Sequence, residues 1–409
     1  MMLYQRALAS LRTQRGNARA IAAEAVAAAP QSAAARLLEA TLLACSRDAR
    51  EYQAAGWAYA RLRELPMNQH ERAQSAALAA ALDGEFDRAC RIYDQILDAH
   101  PSDGLALWAA QLMAYYLGEP HAMRERASRV AARLSRDAPG YHSVLSMHAF
   151  ALQECGDYSA AEQVALRALE LEPRDLRAEH TLLHVYEMLG QPAEGLRWVR
   201  DHAMRWNGQE GDAAAGGHHL WWHVALFFVA LHRPQRALAL HDLRLHQDSI
   251  AGLIDASALL WRLHLQRFEL GARFRILAAR WEAYAEDAHC AFNDLHAMMA
   301  FAGAERWDLA QRLLSAQERR LARPAGANRD MTRLVGYPAC RALLAFARGD
   351  YGAAEALLRS LPPVAHRIGG SHAQRDVLYL TRAAAAARRA PSLKSEPYGL
   401  ALPQSLAAA

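Results

Sequence analysis

The sequence predicts an all-α protein built from antiparallel helix pairs, and three observations carry this prediction. Alanine and leucine are frequent throughout, and apolar residues recur at spacings of three and four, the period of one helix face. No segment shows the alternation of apolar and polar residues that is typical of a half-buried strand. A short turn motif also recurs at similar offsets along the chain. With 409 residues, 53% of them hydrophobic and 22% charged, the chain has the composition of a folded protein with a large core.

The recurring motif is a glycine, an acidic residue and an aromatic residue, found at Gly84–Phe86, Gly156–Tyr158 and Gly349–Tyr351. Each motif is followed by an alanine and later by a proline: Ala89 and Pro101, Ala161 and Pro173, Ala354 and Pro362. The glycine ends one helix, the small alanine lets the next helix pack closely against it, and the proline stops that helix. This is the tetratricopeptide pattern, a helix pair of about 34 residues. We therefore expect a tetratricopeptide-like α-solenoid whose first helices line a concave surface, curled around a pocket.

In chain order, the turns predict a series of helix pairs followed by one final helix. The pairs are expected at 1–45, 47–67, 68–100, 102–135, 140–172, 174–206, 217–247, 250–286, 288–321 and 332–362, and the final helix at 371–389. The repeats within 1–67 match the pattern more weakly, and Arg323–Asp330, rich in Pro, Gly and Asn, is predicted to be a loop. We expect 1–389 to form a single solenoid and the proline- and alanine-rich segment 390–409 to be a disordered tail.

Charge and cysteine usage narrow the range of partners. The formal net charge is +4, and basic and acidic residues are interspersed without a basic stripe, so we expect no nucleic-acid partner. The longest uncharged apolar run, Leu220–Leu231, is too short to span a membrane, so no membrane partner is expected either. The five cysteines are widely spaced and form no CxxC motif, which indicates a reducing compartment and a cytoplasmic protein.

One stretch stands out in this pattern, from Gly216 to Leu231. Two glycines precede a helix-length apolar run that carries three histidines and two tryptophans near its start. His219, Trp222 and His223 share one helix face, and buried imidazole and indole groups need hydrogen-bond partners. Later first helices also carry polar residues in apolar surroundings, which predicts a lined pocket. The predicted ligand-binding residues are His180, His184, Trp222, Asp255, Trp261, Asn293, Arg367, Gly370, Ser371, Gln374 and Arg375.

From about Pro101 to Ala385 the chain resembles the tetratricopeptide repeat protein 38 family. The resemblance rests on four strings, which are Ser146–Glu154, His218–Leu226 leading to Leu240–Asp242, Phe292–Met299, and Arg367–Asp376. The last string, Arg-Ile-Gly-Gly-Ser-His-Ala-Gln-Arg-Asp, is long and unusual. The resemblance implies a cytosolic tetratricopeptide-like α-solenoid, and it implies no particular reaction.

Several of these residues also suggest catalysis. His223 with Asp255, and His296 with Asn293 or Asp294, are candidate acid–base pairs, because a carboxylate can tune a histidine near neutral pH. We name His223, His296, Asp294 and His372 as the catalytic candidates.

His180 and His184 lie one helical turn apart, a spacing that can hold Zn²⁺. The residue after His180 is Thr181, so the base of an HExxH metalloprotease is missing. A third ligand would have to come from Glu187, His219, His223 or Asp294, and the alternative is a pair of hydrogen-bonded imidazoles. We predict no cofactor and no metal ligands, and keep a His-bound divalent metal as an alternative.

The Arg367–Asp376 string also suggests an anion site. Gly369 and Gly370 free the backbone to expose N–H groups, and Ser371 is a suitable N-cap for a helix that points its positive end at the loop. Arg367 and Arg375 could clamp a carboxylate or phosphate. The alternative is an ordinary cap with surface pairing of Arg375 and Asp376.

These observations lead to one principal hypothesis of function and two alternatives. We expect a repeat protein that binds a small polar or anionic organic molecule, or a short peptide segment, in a pocket lined by His, Trp and Arg. The first alternative is an enzyme that uses a histidine general base on such a molecule, with or without a metal. The second is a scaffold with a protein partner that docks on the concave face.

Overall fold

The computed structural model describes residues 2–206, 217–245 and 249–389. Every regular element within these ranges is helical, and the predicted all-α class is confirmed. The predicted tail at 390–409 lies outside the described residues.

The helices follow one another through short connections. The first eleven are α1 (Met2–Thr13), α2 (Ala18–Ala28), α3 (Ala33–Ala44), α4 (Ala49–Leu62), α5 (Gln69–Leu82), α6 (Phe86–Ala99), α7 (Gly104–Leu117), α8 (Pro120–Arg133), α9 (Tyr141–Glu154), α10 (Tyr158–Leu171) and α11 (Leu176–Met188). The others are α12 (Pro192–His202), α13 (Gly217–Ala230), α14 (Pro234–Arg244), α15 (Ile250–Leu265), α16 (Arg273–Trp281), α17 (Ala291–Gly303), α18 (Trp307–Leu321), α19 (Ala327–Met331), α20 (Tyr337–Ala347), α21 (Tyr351–Arg359) and α22 (His372–Arg389). Short 3₁₀ segments lie at Ala203–Arg205, Glu282–Tyr284 and Pro362–Ile368, and a π-helical turn at Thr332–Gly336 leads into α20.

The helices stack as a repeat of pairs. Consecutive helices pack against each other, as in α3–α4, α5–α6, α9–α10 and α20–α21. First helices of successive pairs also make contact, as in α3–α5, α9–α11, α15–α17 and α17–α20. At the three turn motifs, Gly84, Gly156 and Gly349 adopt the left-handed conformation that ends a helix, with φ of 75°, 84° and 79°. The sequence signal for the repeat is therefore also the physical cause of its turns.

The first 67 residues divide differently from the prediction. They contain two helix pairs, α1–α2 and α3–α4, where the sequence suggested one pair in 1–45 and a second in 47–67. The additional breaks have local causes, since the Asn17 side chain accepts from Ala20 N at 3.0 Å and the Ser32 hydroxyl accepts from Ala35 N at 3.3 Å. The predicted loop Arg323–Asp330 was likewise too long, because α19 begins at Ala327.

The described chain forms two compact units. The first comprises Met1–Leu189 and Trp198–His218, and the second comprises Gly190–Arg197 and His219–Ala409. Within the described residues, none of the helices combines the length and the apolar character needed to cross a membrane. All five cysteines are free thiols, and Cys45, Cys90 and Cys340 are buried.

A histidine–aspartate pair recurs between successive repeats of the first unit. His70 Nε2 lies 2.9 Å from Asp103, and His142 Nδ1 lies 2.8 Å from Asp175. The two residues of each pair are 33 positions apart, close to one repeat length. Asp103 and Asp175 are also the N-caps of α7 and α11. One carboxylate thus caps its own helix and bonds to the helix one repeat earlier.

In the second unit, α15 and α17 form the interior. The residues from Leu253 to Leu263 of α15 and from Ala291 to Ala302 of α17 are all buried. Helices buried on every side are normally apolar all round. Polar side chains on these two helices must therefore find their partners inside the protein.

Candidate functional site

Asp255 on α15 is bonded to a histidine of α13. The carboxyl group, 2% exposed, accepts from His219 Nδ1 at 2.8 and 3.0 Å. This bond places the ring proton on Nδ1 and leaves the lone pair of a neutral ring on Nε2. The His219 ring stacks on Trp222 at 5.3 Å between centroids and meets His223 edge-on at 5.1 Å. The shared face predicted for these three residues is present in the structure.

Arg262, seven residues further along α15, links the same group to α22. Its guanidinium lies 5.4 Å from the centre of the Trp222 ring and pairs with the carboxylate of Asp376. It also donates to the carbonyl oxygens of Ala258, at 2.9 Å, and Ala373. A buried arginine needs such a set of acceptors, because its charge is costly to remove from water.

These residues form one group in the second unit. We call it the Trp222 cluster, and it consists of His219, Trp222, His223, Asp255, Arg262 and Asp376.

Trp222 is the member whose polar group is unsatisfied. Its side chain is fully buried, and its indole N–H has no hydrogen-bond partner among the residues that the structure describes. Two other fully buried tryptophans of this unit are different. Trp261 donates to the Thr381 hydroxyl at 3.0 Å, and Trp281 donates to the Ser257 hydroxyl at 2.9 Å. An unpartnered buried N–H is uncommon in native proteins and points to a ligand or a functional role.

His223 is held in the neutral state. Its pKa lies well below the ordinary value of 6.5, first because of burial and then because of the neighbouring His219 and Arg262, while Asp255 opposes the shift. A neutral imidazole can accept a proton or a hydrogen bond, whereas an imidazolium cannot. Asp255 is bonded to His219, and the expected acid–base pair of His223 with Asp255 stays a prediction.

A second buried polar group surrounds Asp294 on α17. Its carboxyl accepts from Gln317 Nε2 on α18 at 3.0 Å, and the same amide nitrogen lies 3.6 Å from the Cys340 sulfur. Burial raises the pKa of Asp294 to about 7. The amide oxygen of Gln317 is buried and has no partner within the described ranges. Asp294 is therefore poised to exchange a proton near neutral pH.

His296 and Asp294 are each bonded to another group. His296 Nδ1 is 2.7 Å from the carbonyl oxygen of Phe292, one turn earlier in its own helix, and Asp294 bonds to Gln317. The expected acid–base pairing of His296 with Asn293 or Asp294 stays a prediction. Asn293, the adjacent candidate, is 8% exposed on the same helix.

The Gly369–Gly370 loop serves packing and capping. The two glycines have φ of 74° and 78°, and a Cβ on Gly370 would lie 2.3 Å from the Phe292 ring. Ser371 is the predicted N-cap, because its hydroxyl accepts from Gln374 N at 3.3 Å and the Gln374 side chain accepts from Ser371 N at 3.1 Å.

Several polar groups of this loop bond within it, and the predicted anion clamp stays a prediction. Arg375 donates to the carbonyl oxygen of Gly370, so it anchors its own loop. The N–H groups of Gly369 and Ser371 are used inside the loop, by the His366 carbonyl and the Gln374 side chain. Arg367 and His372 are half-buried on either side of it.

Trp261 packs in the core, and its predicted role in lining a pocket stays a prediction. It is fully buried, and its only side-chain N–H is bonded to Thr381 on α22. The predicted ligand-binding residues include Trp261 but not its neighbour Arg262, although Arg262 is seven residues from Asp255 and so shares its helix face. Sequence reasoning also missed His219 as the partner of Asp255 and Gln317 as the partner of Asp294.

In the first unit, His180 and His184 lie side by side on α11. Their ring centroids are 4.5 Å apart, and Phe150 packs against both. His184 is fully buried. The adjacent Glu179 is 1% exposed, accepts from Trp198 Nε1 at 2.7 Å, and has its pKa raised mainly by burial. The sequence correctly indicated that these two histidines adjoin.

The predicted site residues thus belong to two compact units. Trp222, His223 and Asp255 come together in the second unit, where Asn293, Asp294, His296 and the loop at Gly370 also lie. His180 and His184 belong to the first unit. A single pocket shared by all of them stays a prediction. No protein-family model matches the chain.

Proposed function

We propose that this protein binds a small polar organic molecule, or a short peptide segment, at the Trp222 cluster. The observation that carries the proposal is the buried indole N–H of Trp222, which lacks a partner among the described residues. A buried donor without a partner costs about 1–3 kcal/mol. A ligand oxygen that accepts a hydrogen bond from this N–H would remove that cost, so the hydrogen bond would stabilise the bound state relative to the free state.

The charges of the cluster narrow the class of ligand. Asp255 and Asp376 are negative and Arg262 is positive, while the buried His223 is neutral. An anion would therefore meet carboxylates that already hold the basic side chains of the cluster, since Asp255 is bonded to His219 and Asp376 to Arg262. A neutral carbonyl or amide oxygen fits better, and both polar metabolites and peptide backbones carry such oxygens. Of the polar and anionic ligands expected from the sequence, the charges favour the neutral polar class.

Catalysis at the same cluster is the second candidate, and the His219–Asp255 bond favours it. A carboxylate that holds Nδ1 orients the ring and stabilises the charge that forms when Nε2 takes a proton. His219 would then be the general base, acting on a molecule bound beside Trp222. The helix-pair fold is also compatible with the resemblance to the tetratricopeptide repeat protein 38 family, which remains part of this proposal.

Native mass spectrometry of protein purified without added ligand tests the binding proposal. We expect a co-purifying small molecule, or failing that a mass shift with dipeptides or N-acetyl amino acid amides as probes. Trp222→Phe removes the N–H donor together with part of the ring and should abolish the bound mass. Trp221→Phe is the matched control, because Trp221 is the neighbouring tryptophan, stacked under Arg244 at 5.0 Å, and it should retain the mass.

Two outcomes would count against the proposal. One is a wild-type protein that carries no ligand and binds none of the probes. The other is a Trp222→Phe variant that binds as well as the Trp221→Phe control. The His219→Gln variant distinguishes catalysis from binding alone. It should still bind the ligand, but it should no longer convert it to a product.

A further inference from the structure

Two large apolar side chains are exposed in the described part of the second unit, on the neighbouring helices α14 and α16. Leu243 is 65% exposed and Ile276 is 55% exposed. An ion pair joins the two helices here, since Arg273 Nε donates to the Asp242 carboxylate at 2.8 Å. Leu243 follows Asp242 directly, and Ile276 lies one helical turn after Arg273. The two exposed side chains therefore lie beside the same ion pair.

Smaller apolar residues extend both positions into stripes with helical spacing. On α14, the exposed Ala239 lies four residues before Leu243. On α16, the exposed Ala279 lies three residues after Ile276, and the exposed Ala272 lies four residues before it. Residues at these spacings share one face of a helix. We call these five residues the Leu243–Ile276 face, and their spacing is the one at which a further helix packs.

Three exposed arginines belong to the same two helices. The Arg244 guanidinium lies 5.0 Å from the centre of the Trp221 ring, and the Arg236 guanidinium lies 5.6 Å from the centre of the Phe228 ring. Arg275 is exposed on α16. Among the described residues, no carboxylate pairs with the side chain of any of these three arginines. Stacking on a ring also restricts the motion of two of the guanidinium groups.

Acidic residues do not balance these arginines. Asp242 is already paired with Arg273, and Glu269 is the exposed acidic residue of the turn before α16. Glu282, which follows α16, lies 3.7 Å from Arg306 of the next pair. The surroundings of the Leu243–Ile276 face are therefore positive, which favours an acidic partner. A symmetric contact with a second copy of this chain would bring two positive faces together, so it is disfavoured.

We propose that the Leu243–Ile276 face binds an acidic amphipathic helix of a partner protein. Apolar side chains of that helix, spaced by three and four residues, would pack on the two stripes. Its glutamates or aspartates would meet the guanidinium groups of Arg236, Arg244 and Arg275, which match carboxylates in geometry. An anionic lipid surface carries the same charge but lacks the helical spacing that the two stripes present.

Fluorescence anisotropy with a labelled synthetic peptide tests the proposal. The probe has leucines at spacings of three and four residues and glutamates at its other positions, and the control peptide has lysines in place of the glutamates. We expect the acidic peptide to bind wild-type protein, less tightly as salt is added, and the lysine peptide not to bind. Leu243→Asn and Ile276→Asn should each weaken binding by about tenfold, because each removes an apolar contact. Arg275→Gln should weaken binding at low salt and have little effect at high salt.

Leu171→Asn is the matched control, since Leu171 is a 44% exposed leucine of the first unit, on α10. This variant should bind the acidic peptide like wild type. All the altered side chains are exposed, so the far-ultraviolet circular dichroism of the variants should stay unchanged. Trp222→Phe should also bind the peptide like wild type, which separates this test from that of the Trp222 cluster.

Four results would overturn the proposal. The first is a wild-type protein that does not bind the acidic peptide, or that binds the lysine peptide equally well. The second is equal binding by Leu243→Asn, Ile276→Asn and the Leu171→Asn control. The third is binding to phosphatidylserine vesicles in place of the peptide, which would assign the face to a lipid surface. The fourth is self-association of the protein that Leu243→Asn abolishes, which would assign the face to a second copy of the chain.

Discussion

Three buried tryptophans of the second unit differ in whether a hydrogen-bond partner is present for the indole N–H. Trp222, Trp261 and Trp281 are all fully buried, so each contributes a large apolar surface to the core. Trp261 and Trp281 also satisfy their N–H groups with hydroxyls. Trp222 has no such partner within the described residues. The three tryptophans are therefore equally buried but differ in hydrogen bonding, and measurements of unfolding free energy can detect this difference.

We expect Trp281→Phe to destabilise the protein by about 1 kcal/mol more than Trp222→Phe does. Both changes leave a similar void, but only the first also removes a hydrogen bond, the one to Ser257. Urea unfolding of the two variants, followed by circular dichroism, measures this difference. Equal losses of unfolding free energy would show that the Trp222 N–H is bonded in the free protein.

At the scale of one element, the loop before α22 depends on the close packing of the Gly370 backbone against the Phe292 ring. Gly370 has a φ of 78°, and a Cβ added there would overlap the Phe292 ring. Gly349 has a φ of 79°, and a Cβ added there would meet open space. Left-handed backbone costs a residue with a Cβ about 1–2 kcal/mol, and this cost applies to both positions.

We therefore expect Gly349→Ala to lower the free energy of unfolding by about 1 kcal/mol and Gly370→Ala to lower it considerably more. The excess at Gly370 comes from the overlap between its new Cβ and the Phe292 ring. Thermal unfolding of the two variants makes the comparison. Similar losses would mean that Phe292 moves aside without cost.

The carboxylate of Asp175 stabilises two elements at once. It accepts from Arg177 N at 3.0 Å and Ala178 N at 3.2 Å, and from His142 of α9 at 2.8 Å. Asp175→Ala should cost about 3 kcal/mol, because a helix cap and a buried charge-assisted bond are lost together. His142→Ala removes only the second and should cost about half as much. If urea unfolding gives the same cost for both variants, the cap contributes little.

At the scale of the whole molecule, two buried groups make stability depend on pH in opposite directions. Burial raises the pKa of Asp294 from its ordinary 3.8 to about 7, so between these values the native protein keeps a proton that the unfolded chain releases. This contribution to stability declines as pH rises through that interval. The pKa of His223 in the native protein lies well below the ordinary 6.5. As pH falls below 6.5, the unfolded chain therefore binds a proton at His223 while the native protein does not. That contribution declines as pH falls.

Asp294→Asn should remove the first of these effects and leave the second. The variant has no carboxyl to titrate at this position. The difference in unfolding free energy, variant minus wild type, should therefore increase from pH 4 to pH 7, by at most about 1.4 kcal/mol per pH unit. Above pH 7 the difference should stay constant. Urea unfolding across this range measures the difference. Parallel profiles for variant and wild type would refute the assignment to Asp294.

The repeat pattern and its turns could be predicted because they depend on neighbours in sequence. Gly84, Gly156 and Gly349 end helices through their own backbone conformation, and Ser371 caps α22 through a residue three positions away. The breaks at Asn17 and Ser32 were missed although they too are local, because their caps lie outside the recurring motif. The adjacency of His219, Trp222 and His223 follows from helical spacing alone.

The sequence by itself determined the all-α class, the helix-pair repeat and the polar helix faces of the chain, since each of these depends on spacings within one or two helical turns. Only the tertiary structure decided that Asp255 bonds to His219, that Arg262 pairs with Asp376, and that Trp261 belongs to the core. It also decided that Gly370 packs against Phe292 and that Arg15 meets Arg174. The physical reason is that these partners lie between 36 and 159 residues apart, where only packing determines which groups meet.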